Sequence, residues 1–234
     1  MGWFGCRGGA GADAWQERGW YQRPRRRTAA RLRPAHDQPN VTLLLPPVLG
    51  RIRSRLRSGL GQGAKPTGPQ WLSGYTGQTT AELLALEGVF RTDSIVLAFE
   101  QALQTKASRV GLPSLTYAER VVLAVEALER EVNNGGFSQL FLNSPEQVPT
   151  VVSSLKAIGA TGVAEIAEAA IGALGIKGKV TAKAVETAIN HEDEDDVMDE
   201  RLNQLDERYY QTAGDLADPL LAFIKTNLDQ IVVP

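Results

Sequence analysis

Between Thr116 and Ser144 the chain carries an apolar repeat that fits a helix and little else. Val121, Val125, Leu128 and Val132 recur at four, three and four residues, which places them on one side of a 3.6-residue turn. Thr116-Tyr117-Ala118-Glu119 just before them predicts a capping box: Thr116 accepts a first-turn N–H and Glu119 reaches back. Glu126 and Arg130, four residues apart, are expected to pair on the wet side of this helix. Asn133-Asn134-Gly135-Gly136 ends it, because glycine just past a helix takes the left-handed conformation that lets the last carbonyls find partners. Phe137, Leu140 and Phe141 then resume an apolar face up to Asn143-Ser144-Pro145.

The same pattern extends both ways. Thr79-Thr80-Ala81-Glu82 is a second capping box, followed by Leu83, Leu86 and Phe90. A helix is expected over about 93–106, with Ile95, Phe99, Ala102 and Leu103 inward. Others are expected over about 148–158, closed by Gly159 with Pro149 near the start, then 162–174, 181–189, 195–211 and 215–228. Strand character is confined to short runs such as Ile231-Val232-Val233. The expected fold class is all-α, one compact multi-helix domain over residues 71–234.

Charge divides the chain sharply. Residues 1–70 hold 13 Lys and Arg against 3 Asp and Glu, a net of +10, whereas residues 71–234 hold 12 against 24, a net of −12. The first 70 residues are rich in Gly, Pro and Arg and show no sustained period before Val41, so a disordered extension is expected. Four readings fit it. Arg23, Arg25, Arg26, Arg27, Arg31 and Arg33 suit a phosphate-gripping arm. Arg26-Arg27 ahead of Val41–Leu45 suits an export signal, but Pro46-Pro47 closes that apolar run with no cleavage site. Arg51, Arg53, Arg55 and Arg57 suit folding back on the acidic domain. Twelve arginines among 13 basic residues suit a mis-assigned upstream start.

The acidic excess concentrates at one place. Glu192, Asp193, Glu194, Asp195, Asp196, Asp199 and Glu200 follow His191 within ten residues. On a helix at 100° per residue, Asp196, Asp199, Glu200 and Glu207 share one side, with Met198, Leu202, Leu205 and Tyr209 nearly opposite. Neighbouring carboxylates on such a face have β-carbons roughly 5–6 Å apart. DNA presents a phosphate about every 3.4 Å of axial rise per strand. These eight carboxylates can therefore imitate a short run of phosphates and attract a cationic surface. A solvated acidic helix start is the plainer reading. Calcium binding lacks the glycine and twelfth-position glutamate of an EF-hand loop.

Signals of catalysis are missing. His36 and His191 are the two histidines, Cys6 is the single cysteine, and no nucleophile motif or phosphate-binding glycine loop appears. The carboxylate pairs are expected on wet faces, where nothing shifts their pKa usefully. No metal site and no cofactor are expected. A lone cysteine excludes a disulfide within the chain, and no 18-residue apolar run spans a membrane, which together fit a cytoplasmic protein.

Glu131-Val132-Asn133-Asn134-Gly135-Gly136-Phe137-Ser138-Gln139-Leu140-Phe141-Leu142-Asn143-Ser144 resembles the signature of a bacterial domain-of-unknown-function family that includes a DNA-mimic protein. Leu155–Ala160 and Leu205–Tyr210 resemble its later markers. The resemblance implies an all-α fold, with Glu131, Asn133, Asn134, Gly135, Gly136, Phe137, Gln139, Phe141 and Asn143 as a structural motif. It also implies, for a DNA-mimic member, an acidic surface that occupies the DNA-binding site of a helix-turn-helix transcription regulator. The expected function is thus a non-enzymatic acidic binding module with a basic protein partner. It does not itself bind nucleic acid, has no membrane partner, and is compatible with a homodimer. Two alternatives are an immunity-like or assembly protein for a partner without a DNA-binding surface, and an enzyme using a polar pocket at Asn133–Asn143.

Overall fold

The computed structural model describes residues 68–190 and 196–234, and the side chain of Asp196 is not among the described atoms. The expectations for the extension before Gly68, and for Glu192, Asp193, Glu194 and Asp195, lie outside the described residues.

Eight α-helices follow one another among the described residues: α1 Thr80–Leu84, α2 Thr92–Val110, α3 Tyr117–Asn143, α4 Val148–Ala157, α5 Thr161–Ala173, α6 Ala182–Ile189, α7 Asp196–Thr212 and α8 Ala217–Thr226. A 3-10 turn at Leu112–Ser114 links α2 to α3. Both expected capping boxes form, Thr79 with Glu82 and Thr116 with Glu119, each worth about 1 kcal/mol at the cap residue. Pro149 lies in the first turn of α4, where a missing N–H costs nothing, and Gly159 takes φ +82° just beyond its end.

The long α3 is the axis of the domain. It packs against α2, α4, α6, α7 and α8, and α7 also packs along α5. Its buried Val121, Val125, Leu128 and Val132 meet Phe99 and Leu103 of α2, Leu155 of α4, Leu202 and Tyr209 of α7 and Leu220 of α8 in one apolar cluster. A helix enclosed this way has no wet side over most of its length, which corrects two expectations. Glu126 is buried, not exposed, and Arg130 bonds Glu100 and Glu131 instead. Glu100, Glu119, Glu126, Glu129 and Glu131 are all buried, so many carboxylates do not lie on wet faces. Side-chain and backbone donors satisfy Glu100, Glu119 and Glu131. Lys106 Nζ lies 2.6 Å from Glu119 Oε1, and the Val232 N–H donates to the same oxygen at 3.1 Å.

The C-terminal Ile231–Val233 run forms no strand. Ile231 and Val233 are buried, and the backbone is held by side chains: Thr80 Oγ1 donates to the Ile231 carbonyl and Lys106 Nζ to that of Val232. Thr116 Oγ1 also donates to the Gln230 carbonyl, so the tail ties together the starts of α1 and α3.

Candidate protein-binding face and the motif that supports it

The helix α3 breaks where the sequence places its glycines. Gly135 (φ −165°, ψ 22°) and Gly136 (φ 77°, ψ −174°) leave helical geometry, and Phe137–Asn143 continues as a second helical segment. Gly136 lies in a region of backbone space that is essentially reserved for glycine. Space demands glycine too. A β-carbon on Gly136 would sit 2.1 Å from Asp206 Oδ2, and one on Gly135 would sit 2.2 Å from Gln139 Oε1.

Asp206, on α7, closes this elbow. Its Oδ1 accepts the Phe137 N–H at 2.8 Å, capping the segment that restarts after the break. Burial pushes the Asp206 carboxyl up to about 6; the Phe137 hydrogen bond opposes this and the neighbouring Glu207 charge adds to it. Tyr210 supports the same join by donating its hydroxyl to the Val132 carbonyl at 2.8 Å, in the last turn before the break. Phe137 packs beside Phe141 and edge-on to Tyr209, with ring centroids 6.2 and 6.0 Å away.

The motif's polar side chains turn on one another. Glu131 Oε2 accepts from Gln139 Nε2 at 3.0 Å and Asn143 Nδ2 at 2.9 Å, while Arg130 Nε reaches Glu131 Oε1 at 3.0 Å. Burial raises the Glu131 pKa, but these donors outweigh it and hold the carboxyl below its ordinary value. Glu100 goes the other way: burial raises it despite the paired Arg130. Glu131, Gln139 and Asn143 therefore tie the two halves of the elbow together. The buried Nδ2 of Asn133 meets no acceptor among the described residues. Asn134 is half-buried. Asp206 and Tyr210 were missed as functional support; their signal was the Leu205–Tyr210 stretch, but a contact 69 residues away from Phe137 is not readable from spacing.

The elbow positions α7, and α7 sorts its side chains cleanly. Leu202, Leu205 and Tyr209 are buried, whereas Asp199, Glu200 and Glu207 are exposed on the opposite side. Arg201 and Arg208 are exposed on the flank. Asp196 belongs to the first turn of the same helix.

The motif, its Asp206 clasp and the carboxylate side of α7 all fall within residues 113–227, which match the family model described as DMP19-like protein. Over these residues the chain is similar to the DMP19-like family. The match takes in α3 to α8 and leaves α1 and α2 before it. No curated protein and no solved structure matches the chain. Among the described residues no helix is long and apolar enough to cross a membrane, and no cluster of three metal-ligating side chains occurs.

Proposed function

We propose that the DMP19-like domain is an acidic protein-binding module of the DNA-mimic kind. Asp199, Glu200 and Glu207, together with Asp196 and the Glu192–Asp195 run, would meet the DNA-binding surface of a helix-turn-helix regulator. The observation that carries this reading is the arrangement of α7. Its inner side is fixed by core packing and by two hydrogen bonds to the α3 elbow, so the outer carboxylates are presented without a backbone ordering cost at binding. Fixed carboxylates at helical spacing attract a cationic face over long range, and the attraction is screened by salt. The family match supports the same role.

Affinity capture from the native lysate with the full chain tests the proposal. The expected captured protein has a basic DNA-binding surface, and added duplex DNA or raised salt releases it. Captured proteins that lack such a surface and resist duplex DNA would favour the immunity-like or assembly role.

A further inference from the structure

The acidic domain contains one basic corner. Three of the six lysines after residue 70, Lys177, Lys179 and Lys183, fall within seven residues between α5 and α6, and Glu186 is the single carboxylate between Gly172 and Asn190. Beside them lies a groove of about 650 Å³. Leu174, Ile176, Ala184, Ala188 and Met198 contribute its apolar floor, Lys177 and Lys183 line its edge, and among the described residues no carboxylate lines it. Both lysines are exposed, and neither forms an ion pair among the described residues.

We propose that this groove docks an acidic amphipathic helix of a partner protein. Apolar side chains at three- and four-residue spacing would rest on the floor, and flanking carboxylates would meet Lys177 and Lys183. The charge decides the partner's chemistry. In a domain of net −12, an acidic partner is repelled in general, and among the described residues Lys177 and Lys183 stand exposed at an apolar groove that no described carboxylate lines. Shape decides the partner's size. The groove is broadly open to solvent, so it cannot enclose most of a small ligand's surface as ligand pockets do. A helix laid along a groove needs only one covered face. The eight-residue α6 is about 12 Å long at 1.5 Å per residue, enough to match about two turns of a docked helix. Met198 of α7 also lines this groove, whereas Asp199, Glu200 and Glu207 do not, so one domain would offer two docking surfaces of opposite charge.

The test titrates the full 234-residue chain into a fluorescein-labelled 12-residue peptide with leucines at three- and four-residue spacing and Glu or Asp elsewhere. Saturable binding that weakens as salt rises is expected. The double variant Lys177→Glu, Lys183→Glu should bind at least about tenfold more weakly, as reversing both edge charges turns attraction into repulsion. Circular dichroism should show an unchanged fold, since both side chains are exposed. The variant Asp199→Asn, Glu200→Gln, Glu207→Gln should bind the peptide as the parent does, so this proposal and the α7 proposal fail separately. Absence of saturable binding would overturn the assignment. Binding that ignores the lysine reversal would do so too, because it would belong to the +10 segment before residue 71. Equal binding of a peptide with its leucines replaced by serine, or binding of laurate but not of the peptide, would also overturn it.

Discussion

The elbow of α3 and the outer face of α7 are built from the same kind of residue and use it in opposite ways. At the elbow, Glu131 and Asp206 turn inward and spend their oxygens on Gln139, Asn143, Arg130 and the Phe137 N–H. On α7, Asp199, Glu200 and Glu207 turn outward to water. The inward carboxylates hold the backbone in place, and the outward ones make no such bond among the described residues. A count of acidic residues cannot tell the two groups apart. Neighbours in space do, and the shared helix α7 carries one of each: Asp206 inward and Glu207 outward, one residue apart.

Substitutions should separate the two regions by their effect on stability. Phe137→Ala should be the most damaging, by about 3–5 kcal/mol in denaturant unfolding, because the ring is fully buried between Phe141 and Tyr209. A loss below about 1 kcal/mol would mean that the elbow does not organise the core. Gly136→Ala should cost about 1–3 kcal/mol from backbone strain alone, and more from the clash with Asp206. Adding Asp206→Ala should recover the clash but not the strain, so a double-mutant cycle would show coupling between the two sites.

Asp206 sharpens the contrast through pH. Its folded-state pKa of about 6 lies above the ordinary 3.8, so the folded chain holds this proton where the unfolded chain has lost it. Its contribution to stability is therefore fully present below about pH 4 and is lost as pH rises through about 6. Asp206→Asn keeps an oxygen for the Phe137 N–H and removes the buried charge. The variant should flatten the stability profile between these pH values and be at least as stable as the parent at neutral pH. Asp206→Ala orphans the Phe137 N–H and should lose about 1–3 kcal/mol. An unchanged pH slope in the Asn variant would contradict the role assigned to this carboxyl.

Much of the fold was legible in the sequence because helices announce themselves locally. The capping boxes at Thr79 and Thr116, the glycine break and the Val121–Val132 repeat each depend on residues within one or two turns. The outward side of α7 was legible for the same reason, since Leu202, Leu205 and Tyr209 define its buried side. What spacing could not show was how many helices surround α3. Glu126 and Arg130 read as a surface pair, yet α3 is enclosed, and Arg130 finds Glu100 from thirty residues away. The Asp206 clasp and the stapling of the C-terminal tail are likewise long-range events. They depend on which helix packs on which, and single-sequence periodicity carries no record of that.

The central claim is that the outward carboxylates of α7 bind while contributing little to the fold. The measurement that tests it most directly is displacement of a captured DNA-binding regulator from labelled duplex DNA, by the parent chain and by Asp199→Asn, Glu200→Gln, Glu207→Gln. The parent should displace the regulator at low salt and progressively less as salt rises. The triple variant should lose displacement while its unfolding free energy stays within about 0.5 kcal/mol of the parent. Displacement by the triple variant equal to that of the parent would contradict the claim.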